Sequence, residues 1–102
     1  MSINKLTLQE KMNQINGDPL NKYTFQEALN KWLVDNSPHN NVTYTGYNVY
    51  TPQEALALIE GKTALNDMTV TELLNEMISG NSNLHKYTAQ EAINQLSSSD
   101  FG

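Results

Sequence analysis

The chain has 102 residues, a formal net charge of −5 and no cysteine, which excludes a disulfide framework and thiolate zinc sites. Its six basic residues are all lysine and lie scattered, so the sequence lacks the clustered Lys/Arg surface that phosphate recognition uses. Hydrophobic residues make up 38%, enough for one core at this length, and no apolar stretch approaches the ~20 residues that span a bilayer.

The first predicted element lies in "KLTLQEKMNQI" at 5–15. The opening "MSINKLTLQEKMNQ" has no apolar stretch of the secretory kind and reads as an amphipathic helix, so a cytoplasmic domain without a leader is expected. Thr7 followed three residues later by Glu10 has the spacing of a capping box. The threonine hydroxyl accepts the N3 backbone N–H, and the glutamate reaches back to the N-cap N–H. Met12 and Ile15 then share one helical face, and Gly17 supplies a stop, which predicts a helix near 8–16.

The same phrase returns as "KYTFQEALNKWL" at 22–33, with Thr24/Glu27 as the box and Leu29/Trp32 as the face. Pro38 forbids continuation past "DNS", so the second helix is expected near 25–35. Next comes "SPHNNVTYTGYNVY" at 37–50, which lies outside the helical pattern. Its β-branched and aromatic residues mirror about Thr45-Gly46, and a small β-hairpin over 42–50 is expected between helices two and three.

The third copy, "VYTPQEALALIE" at 49–60, has Thr51/Glu54, proline at the first helical position and Gly61 as its stop, predicting a helix near 52–60. The fourth, "DMTVTELLNEMI" at 67–78, has Thr69/Glu72 and Gly80, predicting 70–79. The fifth, "KYTAQEAINQL" at 86–96, has Thr88/Glu91 and fades into "SSSDFG", predicting 89–97. One such match is common by chance, but five in register are not. A large apolar residue precedes every threonine: Leu6, Tyr23, Tyr50, Met68 or Tyr87. In four copies an apolar partner for a staple follows five positions on (Ala28, Ala55, Leu73, Ala92), while the first copy has Lys11 there.

Helices of about nine residues are not stable alone in water and must pack on one another. The expected fold is therefore all-α, a single domain over 1–102 formed as a bundle of about five short capped helices.

Chemistry is sparse in this pattern. Five of the eleven carboxylates are the capping glutamates, and the others show no pairing suited to acid–base catalysis; Glu72 and Glu76 share a helix face that reads as solvated. His39 and His85 sit in connectors without ligand spacing, and the fourteen asparagines read as a polar, neutral surface. "GKT" at 61–63 lacks the earlier glycine of a phosphate loop, since Leu56 stands in its place. No enzyme activity, cofactor or metal site is expected.

Tyr44 and Tyr47 remain unexplained by the helical pattern. Rigid amphipathic rings on an irregular segment are common at interfaces, so these two are the candidate partner-binding residues. The leading expectation is a non-catalytic protein-binding module with a protein partner and no direct contact with nucleic acid or membrane. Small, acidic, cysteine-free, asparagine-rich chains are frequent among phage and mobile-element proteins that block a host protein such as a defence system, and that compositional analogy suggests an inhibitor or adaptor. A virion or assembly component acting by self-association is the first alternative. A small nucleic-acid-binding helical domain is the second, because 51–79 and 69–97 have the outline of paired-helix DNA-binding units without their basic face.

Overall fold

The computed structural model describes residues 5–36, 46–79 and 83–96. All five expected helices form: α1 (Leu8–Ile15), α2 (Phe25–Asn36), α3 (Pro52–Ile59), α4 (Val70–Ser79) and α5 (Ala89–Asn94). Each begins with the reciprocal pair of bonds that its Thr/Glu spacing predicts. In α1, Glu10 N–H donates to Thr7 Oγ1 at 3.1 Å and Thr7 N–H to Glu10 Oε1 at 3.0 Å. Thr24/Glu27, Thr51/Glu54, Thr69/Glu72 and Thr88/Glu91 repeat this geometry within 3.0–3.2 Å. Two otherwise unpaired backbone donors are satisfied at each helix start.

The ends follow from the residues that come next. Gly17 and Gly61 adopt φ of 80° and 81°, a left-handed conformation that a side chain would strain. At both, the glycine N–H and the one after it turn back to the last helical turn (Gly17 to Gln14, Asp18 to Asn13; Gly61 to Leu58, Lys62 to Ala57), which makes two Schellman motifs. The fifth helix stops at Asn94, earlier than expected. Without a glycine stop, the chain tightens through bonds from Gln95 N–H to Ala92 and Leu96 N–H to Ile93. Gly80, the expected stop of α4, lies outside the described residues.

The expected core faces are inside. Met12, Ile15, Leu29, Trp32, Leu56, Leu74, Ile93 and Leu96 are buried together with the staple positions Ala28, Ala55, Leu73 and Ala92. Tyr23, Tyr50, Met68 and Tyr87 pack half-buried against that core. The principal helix contacts run α1–α2, α2–α3, α3–α4 and α4–α5, and α5 returns to α1. The chain is thus a closed ring of five single-helix units. Its extents of 38 × 31 × 20 Å describe a flattened disc, with a radius of gyration, 12.7 Å, near the value of about 13 Å usual for a folded domain of 100 residues.

The ring is fastened by asparagines whose role the sequence pattern alone did not reveal. Six residues after its capping threonine, α1 carries Asn13, fully buried. Its Nδ2 donates to Gln9 O (2.9 Å) within α1 and to Tyr23 O (2.7 Å) ahead of α2, while its Oδ1 accepts the Tyr23 N–H (3.2 Å). Asn30 in α2 clasps the backbone of Tyr50 ahead of α3 (2.8 and 3.1 Å), and Asn75 in α4 clasps Tyr87 ahead of α5 (2.9 and 3.0 Å). Asn94 in α5 clasps Leu6 ahead of α1 (2.6 and 3.0 Å), which closes the cycle. Each clasp satisfies the N–H and C=O of a residue that belongs to no helix. In α3 the equivalent position is Ala57, and Gln53 Nε2 reaches Met68 O (2.6 Å) instead.

Two expectations change here. The asparagines are not uniformly surface residues, because three of the clasping four are fully buried. The hairpin expected over 42–50 has no strand in its second arm, residues 46–50; residues 42–45 lie outside the described residues.

Candidate interaction surface

Residues 46–50 lie along the start of α2. Tyr50 is anchored by the Asn30 clasp, and Asn48 Nδ2 donates to Glu27 Oε2 at 3.4 Å. Tyr47, one of the two candidate binding residues, is half-buried, with its ring edge-on to Tyr23 (centroids 5.6 Å apart, planes at 85°). Such aromatic pairs contribute about 0.5–1.5 kcal/mol beyond area burial, so Tyr47 has a packing role that the helical pattern left open. Tyr44 lies outside the described residues. Val49, two positions from Tyr47, is 48% exposed, which makes it the most exposed of the large apolar residues described. Tyr23 carries the Lys22 ammonium 5.4 Å from its centroid, and Lys86 stands in the same relation to Tyr87 at 5.3 Å.

Glu27 links this surface to the capping grammar. The Thr24 backbone N–H holds its carboxylate below the usual range, opposing a smaller effect of burial, with Asn48 and the Thr24 hydroxyl adding to the lowering. Glu72 is lowered in the same way by the Thr69 backbone, and the nearby His85 contributes. His85, an exposed histidine as expected, places Nε2 2.9 Å from Glu72 Oε2. Lys31, in α2, lies 3.3 Å from both Asp18, on the α1–α2 connector, and Asp35, one turn further along the helix. Burial alone would lower its ammonium, but these two carboxylates outweigh that effect and raise it.

The expectation that Glu76 decorates a solvated face is corrected. Glu76 is only 7% exposed, and its Oε1 is 2.7 Å from Lys62 Nζ. Four consecutive residues, Leu73–Glu76, are buried in α4, because neighbours flank the helix on both sides of the ring. A one-sided amphipathic pattern cannot show this. Its sequence signal was the single lysine just past Gly61, and the signal of the clasps was asparagine recurring at a fixed distance after the threonine.

His39 lies outside the described residues. Among the described residues no group of three His, Cys, Asp or Glu side chains could hold a metal ion, and no helix is long and apolar enough to cross a membrane. In comparisons with known proteins the chain matches no family model, no curated protein and no solved structure.

Proposed function

We propose that the protein is a non-catalytic protein-binding module, an inhibitor or adaptor that engages a host protein of the phage or mobile-element setting through Tyr44, Tyr47 and the apolar surface beside them. The observation that supports this reading is the α2–α3 connector. It is the one connector that departs from the short spacing between units, and its described end is fixed to α2 by the Asn30 clasp and the Tyr23 ring while Val49 faces solvent. At the described end of that segment Tyr47 is already packed on Tyr23, so little freedom is left there to lose on binding.

The test is affinity capture from a host lysate with the wild-type chain and with Tyr44→Ala/Tyr47→Ala. Truncated aromatic anchors typically cost about 2 kcal/mol or more each, so capture should fall at least tenfold. Loss of the Tyr23 edge contact should lower the melting temperature by only a few degrees, about 4–8 °C per kcal/mol for a domain of this size. Trp32→Ala is the control. It truncates the core and should cost about 3–5 kcal/mol without reducing capture well below its melting temperature. A folded double mutant that captures the partner as well as wild type would sink the proposal.

A further inference from the structure

The last turn of α1 holds a reactive pair that neither the clasps nor the candidate surface uses. Asn16 is the C-cap of α1, and of the fourteen asparagines it alone is followed by glycine. Glycine leaves the next backbone nitrogen unshielded. At Gly17, where φ is 80°, nothing lies within 4 Å of the place a Cβ would occupy, so the turn is open to water. The Asn16 carboxamide is at the same time part of the α1–α2 seam, because its Nδ2 donates to the Ala28 carbonyl of α2 at 2.9 Å. Its neighbours complete that seam. Gly17 N–H bonds Gln14 O, Asp18 N–H bonds Asn13 O, and the Asn13 side chain clasps Tyr23, on which Tyr47 packs.

We propose that Asn16 is a site of spontaneous deamidation, and that this change acts as a one-way release of the α1–α2 seam. Asparagine is among the chemically labile residues. The Gly17 backbone nitrogen, its proton taken by solvent base, attacks Asn16 Cγ. The Cγ–Nδ2 bond breaks, ammonia leaves, and a cyclic imide joins the two residues. Water then opens the imide at either of its carbonyls, giving aspartate or an isoaspartyl linkage at position 16. Water is the only co-reactant, and the escape of ammonia makes the change irreversible. The folded seam sets the pace, since Asn16 and Gly17 must first let go of Ala28 and Gln14.

Either product weakens the seam. Aspartate replaces a donor by an acceptor, so an ionised oxygen faces the Ala28 carbonyl. It also sets a negative charge at the negative end of the α1 dipole. Asp18 already stands there, its buried Oδ2 without a hydrogen-bond partner among the described residues, although Lys31 Nζ lies 3.3 Å away. The isoaspartyl product adds a carbon to the backbone before Gly17 and disrupts both Schellman bonds. The clasping Asn13, Asn30, Asn75 and Asn94 are followed by Gln14, Lys31, Glu76 and Gln95, whose side chains hinder the same attack.

Peptide mapping of the full chain after incubation in mildly alkaline buffer tests the site. Asn16 should be converted while the four clasping asparagines stay intact, and urea should speed the conversion by removing the bonds that restrain it. An Asn16 that keeps its amide in the folded chain, or a rate that urea leaves unchanged, overturns the proposal. Release is read by amide exchange at Tyr23 and Tyr87, whose N–H groups bond the equivalent Asn13 and Asn75. In Asn16→Asp, exchange at Tyr23 should rise about two- to tenfold relative to Tyr87, the span that corresponds to one net hydrogen bond. An unchanged ratio overturns the release. Following the same ratio in the wild-type chain as deamidation proceeds keeps the test independent of whether the variant folds.

Discussion

Asn13, Asn30, Asn75 and Asn94 occupy the same place in four helices, and each carboxamide makes two donor bonds and accepts one. The orientation of the amide is dictated by its surroundings, because Oδ1 faces an N–H and Nδ2 faces two carbonyls. Replacing Asn75 with Ala strands the N–H and C=O of Tyr87 in a partly buried place, and should cost about 2–4 kcal/mol in urea denaturation, the sum of lost bonds and unpaired groups. Asn75→Asp should be worse at neutral pH, since an ionised carboxylate would point one oxygen at the carbonyls of Thr71 and Tyr87. An Asn75→Ala variant within 0.5 kcal/mol of wild type, a threshold set by the lower end for a single net hydrogen bond, would show that the clasps are incidental to stability.

At the scale of the element, the unit is a short helix started by a threonine–glutamate pair; α1 and α3 are stopped by glycine and α5 by a tightened last turn. α1 and α3 are 8 residues long and α5 is 6, below the ~12–15 residues at which an isolated helix becomes marginal. The capping boxes fix where each helix begins; tertiary contacts supply most of its stability. Thr24→Ala, Thr51→Ala, Thr69→Ala or Thr88→Ala should each cost about 1 kcal/mol by thermal or chemical denaturation with no change in helix count, and the matching serine variants should be much milder. Equal and negligible effects of Ala and Ser at all four sites would mean that the boxes do not set the helix starts.

At the scale of the molecule, closure is the defining feature. The α5–α1 seam uses the same clasp as the seams whose partners are joined by a short connector, although Asn94 and Leu6 stand 88 positions apart in sequence. If the seams are equivalent, the position of the covalent break should matter little. A circular permutant with Gly102 joined to Met1 through a short glycine–serine linker, and opened within residues 37–45, should retain the helical circular dichroism and a cooperative melt. Its Asn94–Leu6 seam then becomes a connected one and the α2–α3 seam an unconnected one, held by Asn30 and Tyr50. An unfolded permutant would show that chain order, rather than the set of seams, specifies the ring.

How much of this was legible in the sequence follows the range of each interaction. Thr7, Thr24, Thr51, Thr69 and Thr88 bond within three residues of themselves, and Gly17 and Gly61 act through their own φ. Helix starts, two of the stops and the apolar faces could therefore be read directly from spacing. The burial of Asn13, the pairing of Lys62 with Glu76, and the contact of Tyr47 with Tyr23 involve partners 10, 14 and 24 positions away, on other units. A helical periodicity assumes one buried face, and it misreads a helix such as α4 that has neighbours on both flanks. Local physics determined the five helices of this protein. Only the tertiary structure decided that they close into a ring, because an asparagine on a helix face reads as solvated until the backbone it must satisfy has been brought beside it.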